Sequence, residues 1–397
     1  MHMPYYKPIK YIKPQKTRRR ILSGLKTLRM QIDEEMPHKT RDSTLILGTW
    51  NIRNFDDNRF MNGYRTSEDF YYIAEIISRF DVLAVQEICE NLDPLDKIMK
   101  ILGYDYDYIV TDVTEGRSGN DERLGFIFDR NKIKFKGVAG ELVLPENLLI
   151  MDEEKRRQFA RTPFMCSFQS GWFKFCFSTV HIYYGESSGS KYRRRVDEIE
   201  RVAKFLANRA KNENQNHILV GDFNIVKPGS PGHNALEEHG FVIYQNNEGS
   251  NKDQTKFYDQ ISFRVRDNEL RFVNSGRCKG VLQFFKSIYT EEDFNLYEGD
   301  LKDTVKAKIV KLEEETAEAV QKLSQTDSQN TKARLEKSID SKREAITDWK
   351  SHLQNMVKLK DYYLREWRTF HGSDHLPLWV ELEIDFSDNY LDYLETL

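Results

Sequence analysis

Carboxylate, amide and imidazole residues gather where the β-rich runs of this sequence end. Asn51 follows Leu45 to Trp50, Gln86-Glu87 follow Val82 to Val85, and His181 follows Phe173 to Val180. Asp222 and Asn224 close the run Ile218 to Gly221, and Asp374-His375 stand just before a last run that starts at Leu378. One such end would be ordinary turn chemistry, since Asn, Asp and Gly populate turns for local backbone reasons. Five of them are better explained by a site built on strand ends. Hydrolysis of a phosphodiester needs a hard cation on the phosphate oxygens, a group that orients or deprotonates water, and donors for developing charge. Carboxylate and amide oxygens suit Mg²⁺, and imidazoles donate or exchange protons near neutral pH.

Strands and helices must hold these ends in place. From Ser43 to about Gly280, short β-rich runs alternate with Gly, Asn and Asp turns. Two amphipathic helices are predicted among them. The first covers Ser67 to Phe80, with Ser67 as N-cap and Phe70, Ile73, Ala74, Ile77 and Phe80 on one face. The second covers Lys191 to Ala210, with Val196, Ile199, Val202, Ala203 and Leu206 at helical spacing. Strands feeding helices predict an α/β sandwich of layers.

Between about Gly299 and Phe370 the texture changes. Val305, Ile309, Leu312, Thr316, Ala319 and Leu323 recur at steps of four and three. After a polar break the rhythm resumes at Leu335, Ile339, Ile346, Trp349, Leu353 and Met356. This predicts an antiparallel, coiled-coil-like helical hairpin with arms of about 35 and 50 Å. Its aromatic end, Tyr362, Tyr363, Trp367 and Phe370, is expected to seat it on the layered domain. Strand alternation returns in Leu378 to Ile384, so the hairpin is an insertion. The organisation read from sequence is a basic N-terminal arm at 1–42, a catalytic domain at 43–298 and 371–397, and a hairpin at 299–370.

Bulk properties narrow the partners. The 397 residues carry a net charge of −3, so the chain is no generic polycation. Charge is uneven, however: no acidic residue precedes Asp33, while Lys7, Lys10, Lys13, Lys16, Arg18, Arg19, Arg20, Lys26 and Arg29 do. Such an arm can lie on phosphates or anionic lipid, or pack on its own domain. No apolar run approaches the roughly 20 residues of a membrane helix, and the first residues lack a secretory core. Cys89, Cys166, Cys176 and Cys278 show no CxxC pairing. Free buried thiols in a reducing cytoplasm are therefore expected, and a zinc site is not.

The segments Thr49-Trp50-Asn51-Ile52, Val85-Gln86-Glu87, Thr179-Val180-His181, Gly221-Asp222-Phe223-Asn224 and Ser373-Asp374-His375 form an ordered set. In order and context the chain resembles the endonuclease/exonuclease/phosphatase (deoxyribonuclease I-like) superfamily, from about Thr44 to Ile384 apart from the hairpin. It also looks like a bacterial group of that superfamily with a helical insertion. The resemblance implies a four-layered α/β sandwich and a metal-dependent hydrolase. It further implies a Mg²⁺-dependent phosphodiesterase, with Mn²⁺ able to substitute, above all a nuclease cleaving DNA or RNA by in-line attack of an activated water. Phosphoinositides, phospholipid head groups and nucleotides form the alternative substrate class. Nucleic acid is the implied partner, with self-association or a protein partner through the hairpin and no membrane insertion.

By the same resemblance Glu87 is the principal metal ligand, with Asn51 and Asp374 at the metal or in its water shell. Asp222 orients or activates water, and Asn224 contacts the scissile phosphate. Asp259, in Tyr258-Asp259-Gln260-Ile261, pairs with His375. Glu122, in Glu122-Arg123-Leu124-Gly125-Phe126, pairs with His181, and Arg161 binds phosphate. Taken singly, His181 can be an interior histidine, Asp259 a turn cap and Arg161 surface charge. Whether Asp222 or a histidine takes the proton from water stays open. The run Glu115-Gly116-Arg117-Ser118-Gly119-Asn120 has the composition of a loop.

Overall fold

Alternating apolar runs need partners on both sides, and in the computed structural model they find them in two facing sheets. The structure describes residues 4–114, 121–152, 155–213, 215–266, 271–273, 277–385 and 387–395; the run 115–120 lies outside them. The chain divides into one unit of Met1–Asp56, Ser67–Ser287 and Gly372–Leu397, and another of Asp57–Thr66 and Ile288–His371.

The first unit begins its strands with β1 (Thr44–Phe55), β2 (Val82–Cys89), β3 (Tyr106–Val110), β4 (Glu122–Asp129) and β5 (Lys134–Glu141). A ribbon of β6 (Ile150–Asp152) and β7 (Lys155–Arg157) precedes β8 (Phe164–Ser170), β9 (Phe173–His181) and β10 (Asn216–Asp222). Then come β11 (Val242–Ile243), β12 (Asp259–Arg264), β13 (Arg271–Phe272), β14 (Lys279–Val281) and β15 (Leu378–Glu383). Among the described residues one sheet has the order β13-β15-β1-β2-β4-β3, with β14 also on β15, and the other β11-β12-β10-β9-β8-β5. Their inner faces meet on aromatic rings. Phe126 of β4 stands 5.5, 5.8 and 5.0 Å from Phe164, Phe168 and Phe177 of the opposite sheet.

Helices cover the outer faces. On the first sheet, α1 (Gln15–Glu35), α2 (Ser67–Ile77) and α3 (Asp93–Leu102) lie together, with Phe70 of α2 set 6.4 Å from Phe55 of β1. On the second lie α4 (Gly189–Glu213) and α5 (Pro231–Glu238), where Ile199, Val202, Ala203 and Leu206 join Val180, Leu219 and Phe223 in one core. This is the four-layered α/β sandwich. The predicted first helix stops at Ile77, short of Phe80, which is nonetheless buried. The basic segment is largely α1. Its Ile21, Leu25, Leu28 and Ile32 recur at helical spacing and are buried, while Arg20 meets Glu68 of α2 at 2.7 Å.

The second unit is built on α6 (Phe294–Gln325) and α7 (Gln329–Gln354). Val305, Ile309, Leu312 and Ala319 of the first arm and Ile339 and Ile346 of the second are buried, as the heptad rhythm predicts. The arm lengths differ from expectation. With 32 and 26 residues they measure about 48 and 39 Å. The first is longer because the helix starts at Phe294 and carries Gly299 inside it. The second stops because Asn355 accepts from the Val357 and Lys358 amides and caps a new helix, α8 (Met356–Tyr362). Met356, placed in the seam by sequence, is consequently exposed. Tyr363 and Trp367 contact Tyr297 at 5.9 and 5.3 Å, and Phe370 contacts Phe60 at 5.4 Å, all within this unit.

Lys308 breaks the apolar rule of the seam. It is buried, donates to Asn62 Oδ1 at 2.7 Å, and stands 4.4 and 4.9 Å from the ring centres of Trp349 and Tyr362. Burial, opposed by Glu366, pulls its ammonium down to about 8 from 10.5. Between these values the unfolded chain binds the proton more tightly than the folded one. The stability of this unit should therefore rise with pH through that window, by about 3 kcal/mol at most. Urea midpoints of wild type and Lys308→Met at pH 8 and pH 10 test this. The wild type should gain on the variant as pH rises, and equal slopes would exclude a depressed lysine.

Candidate active site

The site begins with an irregularity in β2. Its register with β4 passes from Val85↔Gly125 to Ile88↔Arg123, so Gln86 and Glu87 together face a single residue, Leu124. That is a β-bulge, and Glu87 takes a positive φ of 61° in it, a conformation rarely held by a non-glycine without a reason. The two side chains then diverge. Gln86 turns between the sheets and donates to Thr49 Oγ1 at 3.0 Å and Thr179 Oγ1 at 2.8 Å. Glu87 turns to the strand end, where Oε1 accepts from Asn51 Nδ2 at 3.0 Å and Oε2 from the Asn54 amide at 2.7 Å.

The second sheet brings its residues into line by register. His181 of β9 pairs with Asp222 of β10, and Asp222 pairs with Asp259 of β12. Gly221 lets this line form: its φ is +129°, and a Cβ there would stand 2.1 Å from the Val180 carbonyl oxygen. The Asn224 amide, at φ 54°, donates to Asp222 Oδ1 at 2.8 Å. The last loop is held by Ser373, whose hydroxyl donates to the Asn51 carbonyl at 2.7 Å and accepts from the Arg53 and His375 amides at 3.1 Å each. Trp50 Nε1 adds a 2.9 Å bond to the His375 carbonyl.

Asp222 Oδ2 is the common point. Asn51 Nδ2 lies 3.2 Å from it, His181 Nε2 3.5 Å and His375 Nε2 3.7 Å. Each imidazole has a carboxylate behind it. His375 Nδ1 is 2.7 Å from Asp259 Oδ2, and His181 Nδ1 is 2.9 Å from Glu122 Oε1, which Arg161 Nε also approaches. The second trio is close in distance but not aligned for hydrogen bonds. The two histidines therefore differ. Burial and then the Arg161 charge push His181 down to about 4. Burial also opposes a proton on His375, but Asp259 and Asp222 outweigh it and hold that imidazolium well above its usual value. Burial raises the Asp222 carboxyl, whereas for Glu87 burial is overcome by His181 and the Asn54 and Asn51 donors, which lower it.

Thus Asn51, Glu87, Glu122, Arg161, His181, Asp222, Asn224, Asp259 and His375 all belong to this network of strand ends. Arg161 is buried, against the surface-charge reading. Asn224 Nδ2 donates to the Ile182 carbonyl at 2.9 Å, which leaves one amide N–H for a ligand. Asp374 stands apart. Its carboxylate meets Arg53 at 3.6 Å, and it lies in neither carboxylate–imidazole group of the site, Glu87–Glu122–His181 or Asp222–Asp259–His375. Sequence reasoning missed Glu198 of α4, which accepts from the amides of Ala160 and Tyr183 at 3.1 Å each and so braces the segments bearing Arg161 and His181. It also missed Arg195, which donates to the Asn224 carbonyl at 2.6 Å. Both lie in phase with Ile199, Val202 and Leu206, a sign that they face inward.

The donor set fits a hard divalent cation. Asn51 Oδ1 is a buried acceptor with no partner, and Nδ2 of the same amide donates to the Glu87 carboxylate. An unsatisfied amide oxygen next to a carboxylate offers oxygen ligands and no sulfur.

Facing sheets thus gather carboxylates, amides and carboxylate-backed imidazoles at their strand ends. Residues 48–257 match the model of the Endonuclease/Exonuclease/phosphatase family, and the chain belongs to that family. A deoxyribonuclease of Thioalkalivibrio sp. (strain K90mix) is 30% identical over 189 residues, 46% of this chain and 46% of that protein. Deoxyribonuclease-1 of Canis lupus familiaris is 32% identical over 94 residues, 22% of this chain and 31% of that protein. The chain thus spans less than half the length of either relative. A mannosyl-6-phosphatase structure from Bacteroides thetaiotaomicron VPI-5482 aligns at TM-score 0.45 and 19% identity, over 60% of this chain and 90% of that one. No helix among the described residues is long and apolar enough to cross a membrane.

Proposed function

We propose that this chain is a Mg²⁺-dependent nuclease that hydrolyses the phosphodiester bonds of DNA, with RNA as the alternative nucleic-acid substrate. The reading rests on Asp222 Oδ2, which lies 3.5 and 3.7 Å from the Nε2 atoms of two histidines with different proton affinities. Phosphodiester hydrolysis needs a base for water and donors for the phosphate and the leaving oxygen. Asp222 orients the attacking water and accepts its proton, and its burial makes it the stronger base. His375, kept protonated by Asp259, donates to the phosphate as charge builds. His181, with the Glu122 carboxylate 2.9 Å behind it, also reaches Asp222 and with Arg161 and Asn224 completes the oxygen-binding wall. Glu87 and Asn51 would hold the divalent cation, with Asp374 joining them by family resemblance, and the cation would supply neutralisation of phosphate charge. Two relatives named deoxyribonuclease support nucleic acid as the substrate.

The test is to assay the purified full chain on plasmid DNA, single-stranded DNA, RNA and phosphoinositides, with and without Mg²⁺. Nucleic-acid cleavage that stops in excess EDTA is expected. Faster cleavage of an inositol phosphate than of every nucleic acid would shift the substrate to the alternative class. Full activity in EDTA would remove the cation.

A further inference from the structure

Five residues before His181 on β9 and before Asp222 on β10 stand Cys176 and His217. They are register partners at the opposite end of the strand pair, roughly 16 Å along the strands from the candidate active site. Both point toward α4. Cys176 shares the core of Leu206, Leu219 and Phe223, and strand alternation puts His217 on the face of Leu219. At that place α4 ends in Glu213, and one ligand atom each of Cys176, Glu213 and His217 lies within 4.8 Å of the others.

His217 supplies the second observation. It is fully buried, and neither ring nitrogen has a hydrogen-bond partner. A neutral imidazole has one donor and one acceptor nitrogen, and native folds leave such groups unsatisfied only where a water or an ion completes them. Here a thiol and a carboxylate stand at the same spot.

We propose that Cys176, His217 and Glu213 form a second metal site, for a borderline-soft divalent cation of the zinc class. The mixed sulfur, nitrogen and oxygen set suits zinc and is wrong for Mg²⁺ or Ca²⁺, which take oxygen. Tetrahedral ligands at zinc bond lengths stand about 3.5 Å apart, so the cluster needs to close by little more than 1 Å. Glu213, exposed at a helix end, supplies that movement by exchanging its 2.7 Å ion pair with Arg209 for the cation. Binding releases the Cys176 thiol proton to solvent, and the thiolate and carboxylate then neutralise the dication. Gln215 Oε1, now 2.9 Å from Cys176 Sγ, or a water fills the fourth position. No CxxC pair is needed: strand pairing brings Cys176 and His217 together, and the end of α4 adds Glu213.

Cobalt is the probe. Titrating Co²⁺ into the metal-free full chain should produce a near-ultraviolet thiolate-to-cobalt band. The band should vanish in Cys176→Ser and His217→Gln and persist in Glu87→Gln. Glu213→Gln changes an exposed residue that need not disturb folding, and should weaken cobalt binding at least about tenfold. It decides the matter alone if the buried variants do not fold. No band in the wild type, or a band of unchanged affinity in Glu213→Gln, overturns the site and leaves a hydrated histidine.

Discussion

Glu87→Gln is expected to lower turnover about 10³-fold, some 4 kcal/mol of transition-state stabilisation, while the protein stays folded. The carboxylate accepts from Asn51 Nδ2 at 3.0 Å and from the Asn54 amide at 2.7 Å. A glutamine can satisfy only one of these donors as an acceptor, and it brings no charge to a cation. Its own N–H groups would point at another donor, so cation affinity should fall along with the rate. The bulge that sets the φ of 61° at Glu87 comes from the pairing of β2 with β4 and survives the change. A Mg²⁺ titration of cleavage should therefore shift to higher concentration with a thermal midpoint close to wild type. Undiminished turnover in the variant would sink the metal role of Glu87.

His181→Ala and His375→Ala should each cost about 10²–10⁴-fold in turnover, and the double variant less than the product. Both imidazoles address the same Asp222 oxygen, so losing one already disables the step that the other serves. Glu122→Gln and Asp259→Asn should follow their partners more mildly, about tenfold, because each keeps the side-chain shape and loses only the charge that orients a ring. Asp259 should matter more for the charge of its histidine than Glu122 does, since His375 is held protonated and His181 is not. Strictly multiplicative histidine effects would mean that the two act in separate steps.

Polar residues at the ends of apolar runs were legible because strand periodicity is written in the sequence: Asn51, Glu87, His181 and Asp222 could be found that way. The heptad seam was legible for the same reason. What depends on pairing was not. The register shift that sends Gln86 inward and Glu87 outward leaves no mark on a hydrophobic pattern, so Gln86 read as a neighbour of chemistry when its amide links two sheets. Glu122 entered only through family resemblance, since its partner His181 lies in the other sheet. Asn355 carries no signal in the heptad rhythm, and its capping of α8 depends on the backbone turn there. Lys308 hid in a coiled-coil position where charge is normally turned outward.

The Thr49–Gln86–Thr179 bridge has a mechanical consequence. Asn51, Glu87 and Glu122 ride on one sheet, and His181, Asp222 and Asp259 on the other. The candidate site is thus a seam between two separately twisted surfaces. Apolar faces alone tolerate sliding, because burial is non-directional. A buried amide gripping a hydroxyl on each side does not, and it works as a dowel that fixes the lateral offset of the two halves. Activity then becomes a gauge of alignment: a swollen state that kept every strand but loosened the aromatic interface would retain its secondary structure and have no centre at all.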